Sequence, residues 1–161
     1  MDQNRPLTGQ SAPDFRLPDA SGQPVGLKDF LGRWLVLYFY PKDNTPGCTR
    51  EAIDFTGIAG EFEKAGAAVV GISPDSPGSH DRFASKHNLK VKLLSDDQRS
   101  VLSAYGAWGI KKMYGKEHEG VIRSTVLIDP RGTIVRHWPS VKVDGHALDV
   151  LAALKDVTSK E

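Results

Sequence analysis

The chain has 161 residues, of which 39% are hydrophobic and 25% charged, and its formal net charge is +1. A chain of this length typically forms one domain that buries about 70% of its unfolded surface, so we expect a single domain over 1–161. The near-neutral charge argues against nucleic acid or an anionic membrane as a partner, and no apolar run approaches the ~20 residues that a membrane span needs.

The first elements predicted along the chain are strands. Phe15–Leu17 and Val25–Leu27 flank a turn-forming segment and are predicted to form a short β-hairpin. Trp34–Tyr40 is apolar on both faces, which is typical of a strand in the middle of a covered sheet. From Cys48 to Phe62 the apolar residues follow helical spacing, so a helix is predicted there.

The later elements continue the alternation of strands and helices. In chain order they are a strand over 67–72, a helix over 76–87, a strand over 92–94, a helix over 99–105, a hairpin over 125–128 and 133–137, and a closing helix around 147–154. The stretch 106–120 contains Gly109, Gly115 and Gly120 and is predicted to be irregular and mobile. This order predicts an α/β fold in which helices cover both faces of a sheet.

Cys48 is the only cysteine of the chain. A loop containing Pro41, Pro46 and Gly47 leads into it from the apolar strand, and a helix-compatible sequence follows it. A lone cysteine is usually an inert buried residue, but unpaired N–H groups and the dipole in the first turn of a helix stabilise a thiolate, so we interpret Cys48 as a reactive thiol. One cysteine cannot form an internal disulfide, and the segment Met1–Pro6 lacks the apolar run of a signal peptide, so a cytoplasmic protein is predicted.

Pro41, Thr45 and Cys48 have the Pro-x-x-x-Thr-x-x-Cys spacing of the peroxiredoxins. The longer segment Tyr38–Ala52 resembles the bacterioferritin comigratory protein branch of that family, also called peroxiredoxin Q. Further segments similar to that branch are Ala12–Phe15, Lys112–Gly115, Arg123–Thr125 and Leu127–Pro130.

The resemblance implies a thioredoxin-like fold, with a central mixed sheet flanked by helices and an N-terminal β-hairpin extension. It also implies the thiol-dependent reduction of hydrogen peroxide and organic hydroperoxides without a cofactor. Arg123 is then the third catalytic residue, beside Cys48 and Thr45.

The chemistry explains why an arginine is expected near the sulfur. An unperturbed cysteine is only about 3% thiolate at pH 7, and the thiol form hardly attacks a peroxide. A helix N-terminus stabilises the thiolate by only about 0.3–1 kcal/mol, whereas a guanidinium within ~4–6 Å has a larger effect. Arg123 is the candidate, and its planar fork could also donate to the peroxide oxygens as negative charge develops.

Four further residues near Cys48 have expected roles. The Thr45 hydroxyl would position the peroxide or cap the following helix, and the two roles are compatible. Pro41 would shield the sulfur or simply end the strand. The N–H groups of Gly47 and Cys48 are expected to bind the peroxide oxygen. Glu51 would orient the guanidinium, or it is an ordinary favourable acid in the first turn of the helix.

Many members of the branch carry a second, resolving cysteine, either five residues after the first or in the helix after the next strand. Those positions hold Ile53 and Ala84 here, although a cysteine removed by engineering at either place is an alternative. We therefore predict a one-cysteine mechanism, in which thioredoxin or glutathione with glutaredoxin attacks the oxidised sulfur. The resemblance also favours a monomer.

Two other functions compete with this interpretation. A thioredoxin-like disulfide reductase ordinarily needs Cys-x-x-Cys, and the residue three before Cys48 is Thr45. A redox-binding or holdase module without peroxidase turnover is the second alternative, because a fold alone fixes no function. The five histidines have no metal-ligand spacing, so no metal site is predicted.

Overall fold

The computed structural model describes residues 7–159, in which strands and helices alternate. The strands are β1 (Arg16–Pro18), β2 (Pro24–Gly26), β3 (Trp34–Phe39), β4 (Ala67–Ser73), β5 (Lys92–Ser95), β6 (Trp108–Met113), β7 (Lys116–Val121), β8 (Ser124–Ile128) and β9 (Ile134–Trp138). The helices are α1 (Pro46–Gly57), α2 (Ala59–Lys64), α3 (Pro77–His87), α4 (Ser100–Ala104) and α5 (His146–Thr158).

Five strands form the central sheet, in the order β5-β4-β3-β8-β9. On one side of β3, the strands β4 and β5 continue the sheet in parallel, and on the other side β8 and β9 continue it antiparallel. A separate antiparallel hairpin, β1–β2, precedes the sheet. The mixed α/β fold and the N-terminal hairpin are therefore confirmed.

Both faces of β3 are covered, as its apolar sequence predicts. Its six residues are all buried, and alternate side chains enter different clusters because successive residues of a strand point to opposite faces. Leu35 and Leu37 pack with the N-terminal hairpin and α4. Val36 and Tyr38 pack with α1, α3 and α5. The sheet thus separates two apolar clusters.

The helix predicted from Cys48 to Phe62 is interrupted. Ile58, between α1 and α2, has φ −120° and ψ 19°, which lies outside the helical region. Gly57 directly before it lowers the stability of a continuous helix. The rings of Phe55 and Phe62, on either side of the break, lie 5.9 Å apart and are both buried. Both aromatic side chains therefore belong to one cluster despite the break.

The prediction of an irregular stretch over 106–120 is wrong. Strands β6 and β7 pair antiparallel there, from Trp108 opposite Val121 onwards. The connecting residues Tyr114 and Gly115 have φ of 54° and 77°, the two positive values of a tight hairpin turn whose twist matches that of its strands. The other glycines suggested loop structure, although Gly109 and Gly120 lie opposite each other within the ladder.

The functional candidates lie where β3 ends. β3 occupies the middle of the sheet, between parallel β4 and antiparallel β8, and after Phe39 the chain enters the loop that leads to α1. Ligands of open α/β sheets commonly bind at the carboxyl ends of central strands. This edge therefore positions the candidate site. Among the described residues, no helix is both long and apolar enough to cross a membrane.

Candidate active site

Cys48 is the third residue of α1, so the prediction that it lies in the first helical turn is confirmed. Its side chain is almost completely buried, with 1% of its surface exposed. The first helical hydrogen bond of this segment runs from the Thr49 N–H to the Thr45 carbonyl, at 2.9 Å. The N–H groups of Gly47 and Cys48 precede that bond and therefore have no upstream carbonyl within the helix to bind. They remain available for an anion or a peroxide oxygen.

The local sequence explains why the helix begins at this point. Thr45 has extended backbone angles, and Pro46 occupies the first helical position, where a fixed φ and a missing N–H cost nothing. Asn44 adopts a φ of +63° in the preceding turn, a conformation that asparagine tolerates better than most residues. Together these residues turn the chain from β3 into α1 and place the sulfur at the helix N-terminus.

Arg123 lies between β7 and β8 and contacts the sulfur directly. Its Nη2 donates to Cys48 Sγ at 3.2 Å, and its Nη1 donates to Glu51 Oε1 at 2.5 Å. The Arg123 carbonyl accepts the Val141 N–H at 2.9 Å, which fixes the backbone of Arg123. A Cβ at Gly47 would lie 3.3 Å from Nη2, so glycine leaves room for the guanidinium. The structure therefore places Arg123 in contact with both Cys48 and Glu51.

The charges in this cluster support one another. Burial opposes the charged form of Arg123, but the Glu51 carboxylate and the Cys48 sulfur outweigh it and raise the pKa of Arg123 above its ordinary value. A permanent positive charge beside a sulfur favours the thiolate over the neutral thiol. The geometry therefore suits a cysteine that reacts as an anion.

Glu51 is buried in the second turn of α1, so the alternative that it is a first-turn acid is wrong. Burial raises the pKa of Glu51 to about 7, and the opposing effect of Arg123 only partly offsets it. Its Oε1 accepts from the guanidinium, while its Oε2 is buried without a hydrogen-bond partner among the described residues. Glu51 thus holds the guanidinium by Nη1, the nitrogen that does not contact the sulfur.

Thr45 occupies the position before the helix, but its side chain makes no capping hydrogen bond. Its Oγ1 instead donates to the Lys42 carbonyl at 2.7 Å. A hydroxyl has one hydrogen and two lone pairs, so a ligand can only donate to this oxygen. The terminal O–H of a hydroperoxide is such a donor.

The remaining predicted positions are Pro41 and the two positions considered for a resolving cysteine. Pro41 lies two residues after the end of β3 and is half-buried, and its shielding of Cys48 stays a prediction. The two positions considered for a resolving cysteine lie on different helices. Ile53 is on α1 with 43% of its surface exposed, and Ala84 is on α3, partly buried against the apolar cluster.

Sequence reasoning missed a buried polar cluster beside the loop. Asp43 and His80 form an ion-pair contact of 2.7 Å between Oδ2 and Nδ1, and both side chains are essentially unexposed. Asp43 stands within the loop motif, but His80 is 37 residues away in sequence and belongs to no motif. No local pattern could have joined them, because the contact depends on how α3 packs against the end of β3.

Asp43, Asp75 and His80 also have the residue types of a metal site, with ligand atoms within 4.8 Å of one another. Asp43 and His80 already use their facing atoms on each other, and the second His80 nitrogen faces the Leu94 carbonyl at 3.0 Å. A metal ion bound to His80 Nδ1 would have to displace the contact between Nδ1 and Asp43 Oδ2. The arrangement therefore fits a hydrogen-bonded pair better than a metal centre.

Comparisons with known proteins agree on one family. The family model described as "AhpC/TSA family" matches residues 8–137. The chain is similar to a putative peroxiredoxin bcp of Helicobacter pylori J99, with 51% identity over 146 residues that cover 91% of this chain and 96% of the relative. It is also similar to peroxiredoxin Bcp of Bacillus subtilis, with 46% identity over 152 residues that cover 94% of this chain and 97% of that one.

Solved structures give the same result. The chain superimposes on the Xanthomonas campestris bacterioferritin comigratory protein, whose structures concern alkyl peroxide reduction, with a TM-score of 0.85 and 45% identity. The match covers 89% of this chain and 92% of that one. Peroxidoxin BcpB from Mycobacterium tuberculosis matches with a TM-score of 0.83 and 35% identity, over 95% of this chain and 99% of that one.

Proposed function

The chain belongs to the AhpC/TSA family, among the Bcp peroxiredoxins, and on that premise, which makes it a thiol-dependent peroxidase, we propose that Cys48 is the nucleophile and that Arg123 and Thr45 activate and position the peroxide. The observation that supports this assignment best is the 3.2 Å contact between the Arg123 guanidinium and the sulfur of the only cysteine. A non-catalytic holdase would not need a cation at that distance.

In the proposed reaction the Cys48 thiolate attacks the terminal oxygen of a hydroperoxide. An S–O bond forms, the O–O bond breaks, and its electron pair leaves on the second oxygen, which takes a proton from solvent to become water or an alcohol. The sulfur is oxidised by two electrons to a sulfenic acid, and the peroxide is reduced by the same two electrons.

The surrounding groups act on the charge that moves during this step. Arg123 favours the thiolate and can donate to the departing oxygen, where negative charge develops. The N–H groups of Gly47 and Cys48 can bind the attacked oxygen, and the Thr45 hydroxyl can accept its O–H. Pro41 is proposed to limit the access of water, and Glu51 to hold the guanidinium.

An external thiol completes the cycle. It attacks the sulfenic acid, forms a mixed disulfide with Cys48 and releases water, and a second thiol then breaks that disulfide and restores the thiolate. We propose thioredoxin, or glutathione with glutaredoxin, as the source of these thiols. Because the Xanthomonas relative is studied for alkyl peroxide reduction, organic hydroperoxides are proposed as substrates beside hydrogen peroxide.

Three further properties belong to the same proposal. The chain is proposed to act as one domain over 1–161, because the predicted site and the central sheet are built from the same elements. It is proposed to act as a monomer in the cytoplasm, where a reducing environment suits an enzyme with one unpaired cysteine. Sedimentation of the reduced protein measures its oligomeric state.

Steady-state turnover tests the proposed function. We expect hydrogen peroxide and cumene hydroperoxide to be consumed catalytically when thioredoxin with its reductase, or glutathione with glutaredoxin and its reductase, is present, and at most stoichiometrically when both are absent. Comparison of the two systems identifies the reductant. If neither system and no small dithiol supports consumption beyond one equivalent per chain, the proposal is wrong.

A second prediction follows from the single thiol. Without an internal cysteine to trap the sulfenic acid, Cys48 should be oxidised further by excess peroxide to sulfinic acid. Intact mass spectrometry of protein treated without reductant should show the addition of two oxygens, and added dithiothreitol should prevent it. A product that stops at one added oxygen would contradict the prediction.

A further inference from the structure

The buried cluster of Asp43 and His80 beside the site contains several hydrogen bonds in addition to the contact between these two side chains. Asp43 Oδ1 accepts from the Tyr40 hydroxyl at 2.7 Å, and Asp43 Oδ2 accepts from the Ser79 hydroxyl at 2.8 Å and lies 2.7 Å from His80 Nδ1. The other His80 nitrogen, Nε2, lies 3.0 Å from the Leu94 carbonyl. The Asp43 carboxyl group is thereby held by the end of β3 and by α3, and through His80 by β5.

The positions of the hydrogen atoms in this cluster can be deduced from its acceptor groups. A carbonyl oxygen only accepts, so His80 Nε2 must carry a hydrogen. Nδ1 and Asp43 Oδ2 cannot both be bare acceptors at 2.7 Å, so a second hydrogen lies between them. The cluster is fully satisfied in this state, and the loss of either partner leaves a buried polar group without a hydrogen bond.

The loop between β3 and α1 also fixes the Thr45 hydroxyl, through the peptide unit that joins Lys42 to Asp43. The peptide that joins Lys42 to Asp43 donates its N–H to Asp75 Oδ2 at 2.8 Å, and its carbonyl accepts from Thr45 Oγ1 at 2.7 Å. Asp75 Oδ2 is itself fixed by the Ser73 hydroxyl at 2.7 Å. Because a peptide unit is planar, the contact that holds its N–H also aims its carbonyl.

We infer that Asp43, His80 and Asp75 are positioning residues for peroxide reduction, which aim the Lys42 carbonyl so that the Thr45 hydroxyl faces the substrate as an acceptor. This inference rests on the proposed function. Because its hydrogen is donated to the Lys42 carbonyl, Thr45 Oγ1 accepts the O–H of the peroxide. This hydrogen bond turns the terminal peroxide oxygen towards the sulfur. If the carbonyl moves, the hydroxyl rotates freely and competes as a donor.

The test compares a reaction that uses Thr45 with one that does not. Asp43→Ala, His80→Ala and Asp75→Ala should each lower kcat/KM for hydrogen peroxide by about 10-fold, the effect of one hydrogen bond, mainly through KM. The rate of Cys48 alkylation by iodoacetamide should stay within about twofold, because that reagent needs no acceptor at Thr45. Asp43→Asn, which keeps an acceptor for Tyr40 and a donor towards Nδ1, should restore most of the activity.

A double-mutant cycle separates positioning from a general loss of structure. Thr45→Val should lower kcat/KM about 10-fold in the wild-type background and less than about twofold in the Asp75→Ala background, because the hydroxyl there has already lost its orientation. Asp75 is only half-buried, so this variant keeps the test open if Asp43→Ala does not fold. His87 lies on the last turn of α3, the helix that also contains His80. His87→Gln is therefore the matched control and should leave kcat/KM unchanged.

The outcomes distinguish the inference from the function on which it rests. If the losses from Thr45→Val and Asp75→Ala multiply, or if alkylation falls together with peroxide reduction, the positioning role is wrong while the peroxidase assignment stands. If Thr45→Val has no effect in the wild-type background, both the positioning role and the proposed role of Thr45 are wrong.

Discussion

Replacement of Cys48 by serine is expected to abolish peroxide reduction, lowering kcat/KM by at least about 10⁴-fold. The chain holds no second thiol, so no other thiolate can replace Cys48 as the nucleophile. A serine hydroxyl in the same place is not ionised at neutral pH, and it cannot be oxidised to the equivalent of a sulfenic acid. Stopped-flow measurement of peroxide consumption under single-turnover conditions gives the effect directly.

The Cys48→Ser variant should still fold. Serine and cysteine have similar size, and the Cys48 side chain contacts only Arg123 by a hydrogen bond among the described contacts. Thermal unfolding should therefore change little beside the loss of activity. Thr56→Ser, a similarly small change on the last turn of α1, is the control that should keep full activity. An unaltered rate in Cys48→Ser would end the peroxidase mechanism and favour the redox-binding alternative.

Replacement of Arg123 by methionine is expected to have the second largest effect, a loss of about 10²–10³-fold in kcat/KM. The change removes the donor at 3.2 Å from the sulfur and the cation that favours the thiolate. The substitution should therefore weaken both the ionisation of Cys48 and the stabilisation of charge on the departing oxygen. Single-turnover peroxide consumption measures the loss.

This substitution also leaves Glu51 buried without its partner. The pKa of Glu51, already raised to about 7 by burial, should rise further, and the protein should lose stability where Glu51 would be ionised. The double variant Arg123→Met with Glu51→Gln removes both charges and should recover stability without recovering activity. Urea unfolding measures the first property and peroxide reduction the second.

Arg136→Met is the matched control for the arginine. Arg136 lies on β9, and its ion pair with Asp156 is exposed on both sides, so its loss should change neither activity nor stability measurably. Activity that recovers together with stability in the double variant would assign Arg123 a purely structural role. Equal losses in both arginine variants would point to a general effect of charge.

The sequence predicted the fold well where the information is local. The apolar run of β3, the proline and glycine of the loop, and the spacing of α3 and α5 each depend on residues within one turn or one strand of each other. The same holds for the helix start at Cys48. Local patterns were misleading at β6 and β7, where glycines suggested a loop although Tyr114 and Gly115 form a hairpin turn.

The candidate site likewise has features that the local sequence predicted and contacts that it did not. Pro41, Thr45 and Cys48 lie within eight residues, and their spacing alone indicated the chemistry and, by resemblance, the family. The 3.2 Å distance from Arg123 to the sulfur and the contact between Arg123 and Glu51 depend on β8 packing beside β3. That His80 holds Asp43 depends in turn on the position of α3.

The sequence by itself therefore determined which group is the candidate nucleophile, because a reactive thiol needs a cysteine at a helix start, and both features are local in the sequence. Only the tertiary structure decided which distant side chains surround that thiol, in which orientation, and which of their hydrogens are already committed. Contacts between residues far apart in sequence arise from the packing of whole elements, and no pattern within one element contains them.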